Sequence, residues 1–313
     1  MGCFNYAVLD PRSIPAAAEV NDKIFSNPVG VVGIEVTVLS LAERCVKNID
    51  PQHTGGRSDR AAIEEVAEGG WYPSDGTTLA TIRPDLDSVG AMAVISLNYE
   101  GVDLRREDIS QRIGLVATSD KFARGGYTGP KPLPTRSNPW DESSATAESS
   151  RPLAAIAAAV MDFKIPLADR VSTMERWLLT GDEPAQYRTQ VEKERLDMIT
   201  AMETGQIKSE TRSDGRIAVV ESTHRAATSV GYSLAPVVVA LNPSFKQGPS
   251  EPYKKFTICA FEAKFADIKS ALAELATLEA GWGGSPTIGG SPQGVSSTLT
   301  IDQVVAVVEK HLR

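Results

Sequence analysis

The chain has 313 residues, with 32 Lys or Arg against 40 Asp or Glu, and a net charge of −8 at pH 7. That acidity excludes a long duplex nucleic acid gripped mainly through its phosphates, which needs a basic face. At 42% hydrophobic and 23% charged residues the composition is that of an ordinary globular protein, neither disordered nor fibrous, and the length predicts two domains.

The opening MGCFNYAVLDPRS lacks the basic stretch and apolar run of a secretory signal, and no window approaches the ~20 apolar residues that cross a bilayer. No membrane association is expected; Tyr6 stands where a myristoylation pattern wants Ser or Thr. Cys3, Cys45 and Cys259 are odd in number, far apart and form no CxxC pair, so neither a zinc ribbon nor a disulfide framework is expected, and a cytoplasmic location is.

In chain order, β-branched apolar runs at 31–41, 77–82 and 113–117 alternate with helix-like stretches at 59–68 and 88–97, the signature of a parallel α/β sheet. Residues 128–152 are rich in proline and serine and read as a linker or long loop. Three stretches with helical spacing follow, at 153–163, 172–179 and 187–203, and stop near Gly205. β-rich runs return at 217–220, 236–241 and 255–261, followed by an amphipathic stretch at 266–278, a glycine-rich loop, a short run at 297–300 and a helix over 302–312 capped by Thr300 or Asp302. The expected organisation is an α/β domain over 1–127 with a parallel sheet, a Pro/Ser-rich loop and helical linker over 128–205, and a smaller mixed α/β domain over 206–313.

Four segments carry residues suited to chemistry. In TTLATIRPDLDSVGAMAVISL a strand runs into Asp85 and Asp87 and then into a helix start. Strand ends are where open α/β sheets place their sites, and two hard oxygens suit manganese or magnesium. The competing reading is that Pro84 begins a turn and Asp87 caps the next helix. In KNIDPQHTGGRSDR, Asp50 and His53 sit in a loop that Gly55 and Gly56 let approach a ligand; a solvated turn is the alternative. In RIGLVATSDKF the run 113–117 would deliver Asp120 to the same sheet edge as a third carboxylate, with capping or pairing to Lys121 as the alternative.

The fourth segment, GWGGSPTIGGSPQG, places Gly283, Gly284, Gly289 and Gly290 where backbone N–H groups can turn toward a phosphate, unless it is a plain connector. It is neither a P-loop nor a dinucleotide fingerprint. His224 and Arg225 are lesser candidates for a phosphate or a leaving group, against a solvated loop pair.

Together these residues resemble the DHH phosphoesterase superfamily. RPDLDSVGAMAV is similar to that family's DxD motif, which implies metal-ligand roles for Asp85 and Asp87. VATSDKF resembles its later aspartate motif and implies a ligand role for Asp120, and the run 255–312 is similar in order and spacing to the DHH-associated domain, implying phosphate binding at Gly283, Gly284, Gly289 and Gly290. The name-giving Asp-His-His triplet is absent. Its nearest counterpart, Asp50-Pro51-Gln52-His53, replaces one histidine and precedes the DxD motif instead of following it. The resemblance implies a hydrolase of a small phosphorylated substrate, a nucleotide, cyclic dinucleotide or short oligonucleotide. Manganese or magnesium held by Asp50, His53, Asp85, Asp87 and Asp120 would activate a water in a cleft between the domains. With the triplet altered, the alternative is a nucleotide-binding protein without catalysis. A homodimer is a further expectation, from the exposed edges of a parallel sheet.

Overall fold

The structure, a computed structural model, describes residues 3–12, 14–51, 60–69, 73–120, 127, 129–139, 151–246 and 251–313. The chain is α/β and forms two compact units: Met1–Phe122 with Thr146–Glu192, and Ala123–Ala145 with Lys193–Arg313.

The first unit is built on four parallel strands, β1 (Asn5–Val8), β2 (Val31–Ile34), β3 (Lys47–Ile49) and β4 (Thr78–Thr81), in the order β1-β4-β2-β3. Alternation of side chains sorts the strand residues between two faces. Val32, Ile34 and Leu79 join a core with α3 (Ala62–Gly69), α4 (Leu86–Tyr99), α5 (Glu107–Asp120), α6 (Arg151–Val160) and α7 (Leu167–Thr180). Val31 and Ala80 face the other way, toward α1 (Pro15–Phe25) and the single turn α2 (Leu39–Ala42). Helix α4 is apolar all round and buried from Leu86 to Leu97, the pattern of a central helix and not of a surface one.

The expected strand at 113–117 is a correction: it lies inside helix α5. The buried residues Ile109, Ile113, Val116 and Ala117 recur at helical spacing, and Glu107 and Asp108 open the helix where its dipole favours acids. A window of five mostly apolar residues is too short to show that period. The run at 31–41 holds only a four-residue strand before α2, while β1, β3 and α1 were not legible as elements. Helices α6 and α7, expected in a linker, bury Leu153, Ile156, Val171, Met174 and Trp177 in the first unit's core.

The second unit has a mixed sheet in the order β5 (Lys208–Arg212), β6 (Ile217–Glu221), β7 (Val237–Phe245), β8 (Tyr253–Ala260), β10 (Ile288–Gly290) and β9 (Gly283–Gly284), in which β6 and β7 are parallel and the other pairs antiparallel. Helices α10 (Ile268–Leu278) and α11 (Ile301–Lys310) cover one face. Helix α9 (Ala227–Leu234) and the end of α8 (Ala185–Glu203) cover the other. Thr300 caps α11 through a reciprocal bond with Gln303, as the sequence allowed. Edge strand β5 (Lys208–Arg212) is exposed throughout and charged, which protects it from edge pairing.

Candidate functional site

All four strands of the first unit deliver their carboxyl ends to one edge of the sheet. From that edge β1 turns into α1 on one face and β4 into α4 on the other. Adjacent parallel strands that part in this way leave the crevice in which open α/β sheets bind ligands.

Asp85 sits at this edge, beyond the end of β4, in extended conformation as the N-cap of α4. Its Oδ1 accepts the Ser88 N–H at 3.0 Å and the Ser88 hydroxyl at 2.8 Å, and the Asp85 N–H donates to Ser88 Oγ at 3.0 Å. This is a capping box, and the cap is Asp85, not Asp87. Asp87 turns inward, 1% exposed, and its two oxygens accept the N–H groups of Ala62 at 2.7 Å and Ile63 at 2.8 Å. It thereby satisfies orphan donors at the start of α3 and places a negative charge at that helix's positive end. Gly90 completes the segment, since a side chain there would press to 2.8 Å from Ile63 Cδ1.

Asp50 follows β3 and is 3% exposed. His53 lies outside the described residues, with the glycines beside it. Asp120 ends α5, so it is carried by a helix and not by a strand end; this corrects its expected placement. A manganese or magnesium centre needs several donors around one point. Among the described residues no three His, Cys, Asp or Glu side chains gather in that way. Strand β2 separates β3 from β4, so Asp50 and Asp85 leave strands about 9.5 Å apart. The described carboxylates do not by themselves assemble the metal centre that the resemblance implies, whose His53 lies outside them.

The glycine-rich segment forms a small hairpin in the second unit, β9 (Gly283–Gly284) against β10 (Ile288–Gly290), with β10 paired to β8 (Tyr253–Ala260). Three of its glycines answer to packing. A Cβ on Gly284 would strike Gly289, one on Gly289 would strike Leu272, and one on Gly290 would strike the Phe256 carbonyl, whereas Gly283 faces open space. The hairpin is framed by Glu279, whose carboxylate accepts from Trp282 Nε1 at 2.9 Å, Ser297 Oγ at 2.8 Å, Thr298 N at 2.6 Å and Thr298 Oγ1 at 2.9 Å.

His224 and Arg225 occupy the turn from β6 to α9. The Ala226 N–H donates to His224 Nδ1 at 3.1 Å, and burial, assisted by the charge of Arg225, holds the imidazole below its ordinary pKa. Arg225 is ion-paired with Glu194. Both residues therefore have partners inside the second unit.

Sequence reasoning passed over Arg12 and Arg83, which follow the carboxyl ends of β1 and β4. Only the strand assignment marks them, and β1 was not legible. Cys3, Cys45 and Cys259 are free thiols, and burial pushes Cys259 up to about 11. Among the described residues no helix is long and apolar enough to cross a membrane.

No family model and no curated protein matches the chain. Among solved structures it is similar to the pGpG-specific phosphodiesterase PggH from Vibrio cholerae, at 9% identity and a TM-score of 0.41, over 99% of this chain and 96% of that one. A likeness this loose carries no residue correspondence.

Proposed function

We propose that the chain is a phosphoesterase acting on a small phosphorylated compound, a nucleotide or short oligonucleotide, at the carboxyl edge of the first unit's sheet. The observation that carries this reading is the Pro84-Asp85-Leu86-Asp87 turn at the end of β4, flanked by β1 and β2, in a sequence that resembles the DxD motif of DHH phosphoesterases. In hydrolysis the water oxygen bonds to phosphorus, the bond from phosphorus to the leaving oxygen breaks, and the water gives up a proton. Asp85 Oδ2, which lies outside the capping box, is the acceptor we assign to that proton. Asp50 supplies the second carboxylate at the same edge. Small substrates suit a chain of net charge −8, which can gather positive charge locally but not along an extended groove.

A second reading, a nucleotide-binding protein without catalysis, is favoured by one observation: both oxygens of Asp87 and one of Asp85 are taken up by backbone and serine donors. Calorimetric titration with nucleotides, followed by chromatography of the recovered ligand, separates the two. A hydrolysed ligand supports the phosphoesterase, and a ligand bound and returned intact supports the binder.

A further inference from the structure

The register of the sheet sets two arginines at neighbouring exits. Val8 pairs with Thr81, and the Leu9 N–H donates to the Thr81 carbonyl at 2.9 Å, so Asp10 to Arg12 and Ile82 to Arg83 leave the edge side by side. Arg83 is exposed and makes no ion pair among the described residues. Arg12 is held by Asp10, Nε to Oδ1 at 2.9 Å and Nη2 to Oδ2 at 2.6 Å, a fork that leaves Nη1 uncommitted. Asp10 is itself fixed: its N–H donates to Asn21 Oδ1 at 2.9 Å, and Asn21 Nδ2 donates back to its carbonyl at 2.8 Å. Asn21 is 3% exposed, so the turn that presents Arg12 is anchored in the buried side of α1.

Beside this turn a cavity of about 340 Å³ opens toward α2, lined among others by Asp10, Arg12, Ala18, Ser40, Leu41 and Arg44. Its size is at the small end of ligand sites, near the scale of one nucleotide and short of an extended oligomer. Arg44 lies over the Phe25 ring at 4.1 Å and pairs with Asp22 at 2.8 Å, so it too is held in place. The lining carries two arginines and one aspartate, and Arg83 stands at the adjoining strand exit.

We propose that the β1/β4 crevice binds an organic phosphate of mononucleotide size, with its phosphate between Arg12 and Arg83 and the rest of the molecule in the cavity over Ala18 and Leu41. This rests on the reading of the sheet edge as a phosphoester site and adds the residues that grip the substrate and its size class. Guanidiniums carried beyond the ends of two separate strands, that of Arg12 already forked to Asp10, favour the freely accessible oxygens of a terminal phosphate over a bridging diester.

The test is calorimetric titration of the full chain with inorganic phosphate, ribose 5-phosphate, AMP and GMP, comparing wild type with Arg12→Gln, Arg83→Gln and Ala18→Trp. All three positions are exposed, and circular dichroism verifies that each variant is folded. Either arginine substitution is expected to weaken AMP or GMP binding at least tenfold. Ala18→Trp is expected to weaken the mononucleotides as much while leaving inorganic phosphate unchanged. Mononucleotide affinity equal to wild type in all three variants overturns the site, and so does a wild-type chain that binds none of the four probes. Turnover is read separately. Hydrolysis that requires Asp85 but ignores these three substitutions removes this site and leaves the phosphoesterase standing. Arginine-dependent binding with no hydrolysis by wild type does the reverse.

Discussion

The Asp87 carboxylate accepts the backbone N–H of Ile63 at 2.8 Å, tying the first turn of α4 to the first turn of α3. Its other oxygen takes Ala62 N–H at 2.7 Å, and the group is 1% exposed. Truncation strands two donors in a buried site. Asp87→Ala is therefore expected to destabilise the first unit by about 2–4 kcal/mol, measured by urea unfolding. Unchanged stability would mean that the clamp contributes nothing.

Asp85 allows folding and chemistry to be separated. Asparagine caps a helix as well as aspartate does, so Asp85→Asn should leave stability within about 0.5 kcal/mol, while Asp85→Ala should cost about 1 kcal/mol. Both should lower turnover at least a hundredfold if Asp85 takes the proton. Thermal melts and initial rates on the same preparations check this, and loss of activity only in proportion to loss of folded protein would assign Asp85 to capping alone.

The glycine hairpin gives a contrast between two glycines of its facing strands, Gly283 and Gly289. Gly289→Ala places a methyl group against Leu272 and 2.7 Å from the Gly283 carbonyl oxygen, and should destabilise the second unit by about 1–3 kcal/mol. Gly283→Ala meets nothing within 4 Å and should be neutral in stability. Differential scanning calorimetry reads both. If Gly283→Ala also leaves nucleotide binding intact, the hairpin serves packing and the phosphate is gripped elsewhere.

Glu279 carries a pH signature. Burial pushes its carboxyl up, but the bonds from Thr298, Ser297 and Trp282 outweigh that and hold it below the ordinary glutamate range. A depressed folded pKa contributes stability above the unfolded value of roughly 4.3, and that contribution is lost as pH falls through the folded value. Glu279→Gln should thus be less stable than wild type at pH 7, with the gap closing in acid. Chemical denaturation followed by circular dichroism at each pH checks this, and a gap that stays constant with pH would contradict the assignment.

How much was legible in the sequence depended on length and period. The run ending in Ile82 is readable because Leu79 and Ala80, between β-branched threonines, point to opposite buried faces before the chain meets Pro84. The segment at 113–117 reads as a strand because Ile113 and Val116 lie in a short apolar window whose helical spacing shows only when Ile109 is included. Strands β1 and β3 have four and three residues and lie at the edges of the sheet; the apolar run of β1 from Tyr6 to Leu9 is too short to separate strand from helix, and β3 carries a single apolar residue, Ile49. Missing β1 hid Arg12, because an arginine in a loop acquires meaning only once the loop is known to leave a strand end. Both aspartates are legible, and the Asp85 cap is local to Asp85 and Ser88, but the clamp made by Asp87 depends on where α3 begins, which local spacing does not reveal.

The measurement that bears most directly on the central claim is a hydrolysis time course over mononucleotides, cyclic and linear dinucleotides, short oligonucleotides and pyrophosphate, with and without manganese. It is read by chromatography, with Asp85→Asn at equal folded concentration as the control. The expected result is release of phosphate or of a shortened product from at least one small nucleotide substrate, reduced at least a hundredfold in the variant. Recovery of every compound intact from the wild-type protein, or equal turnover by Asp85→Asn, would contradict the assignment of phosphoester hydrolysis to this sheet edge.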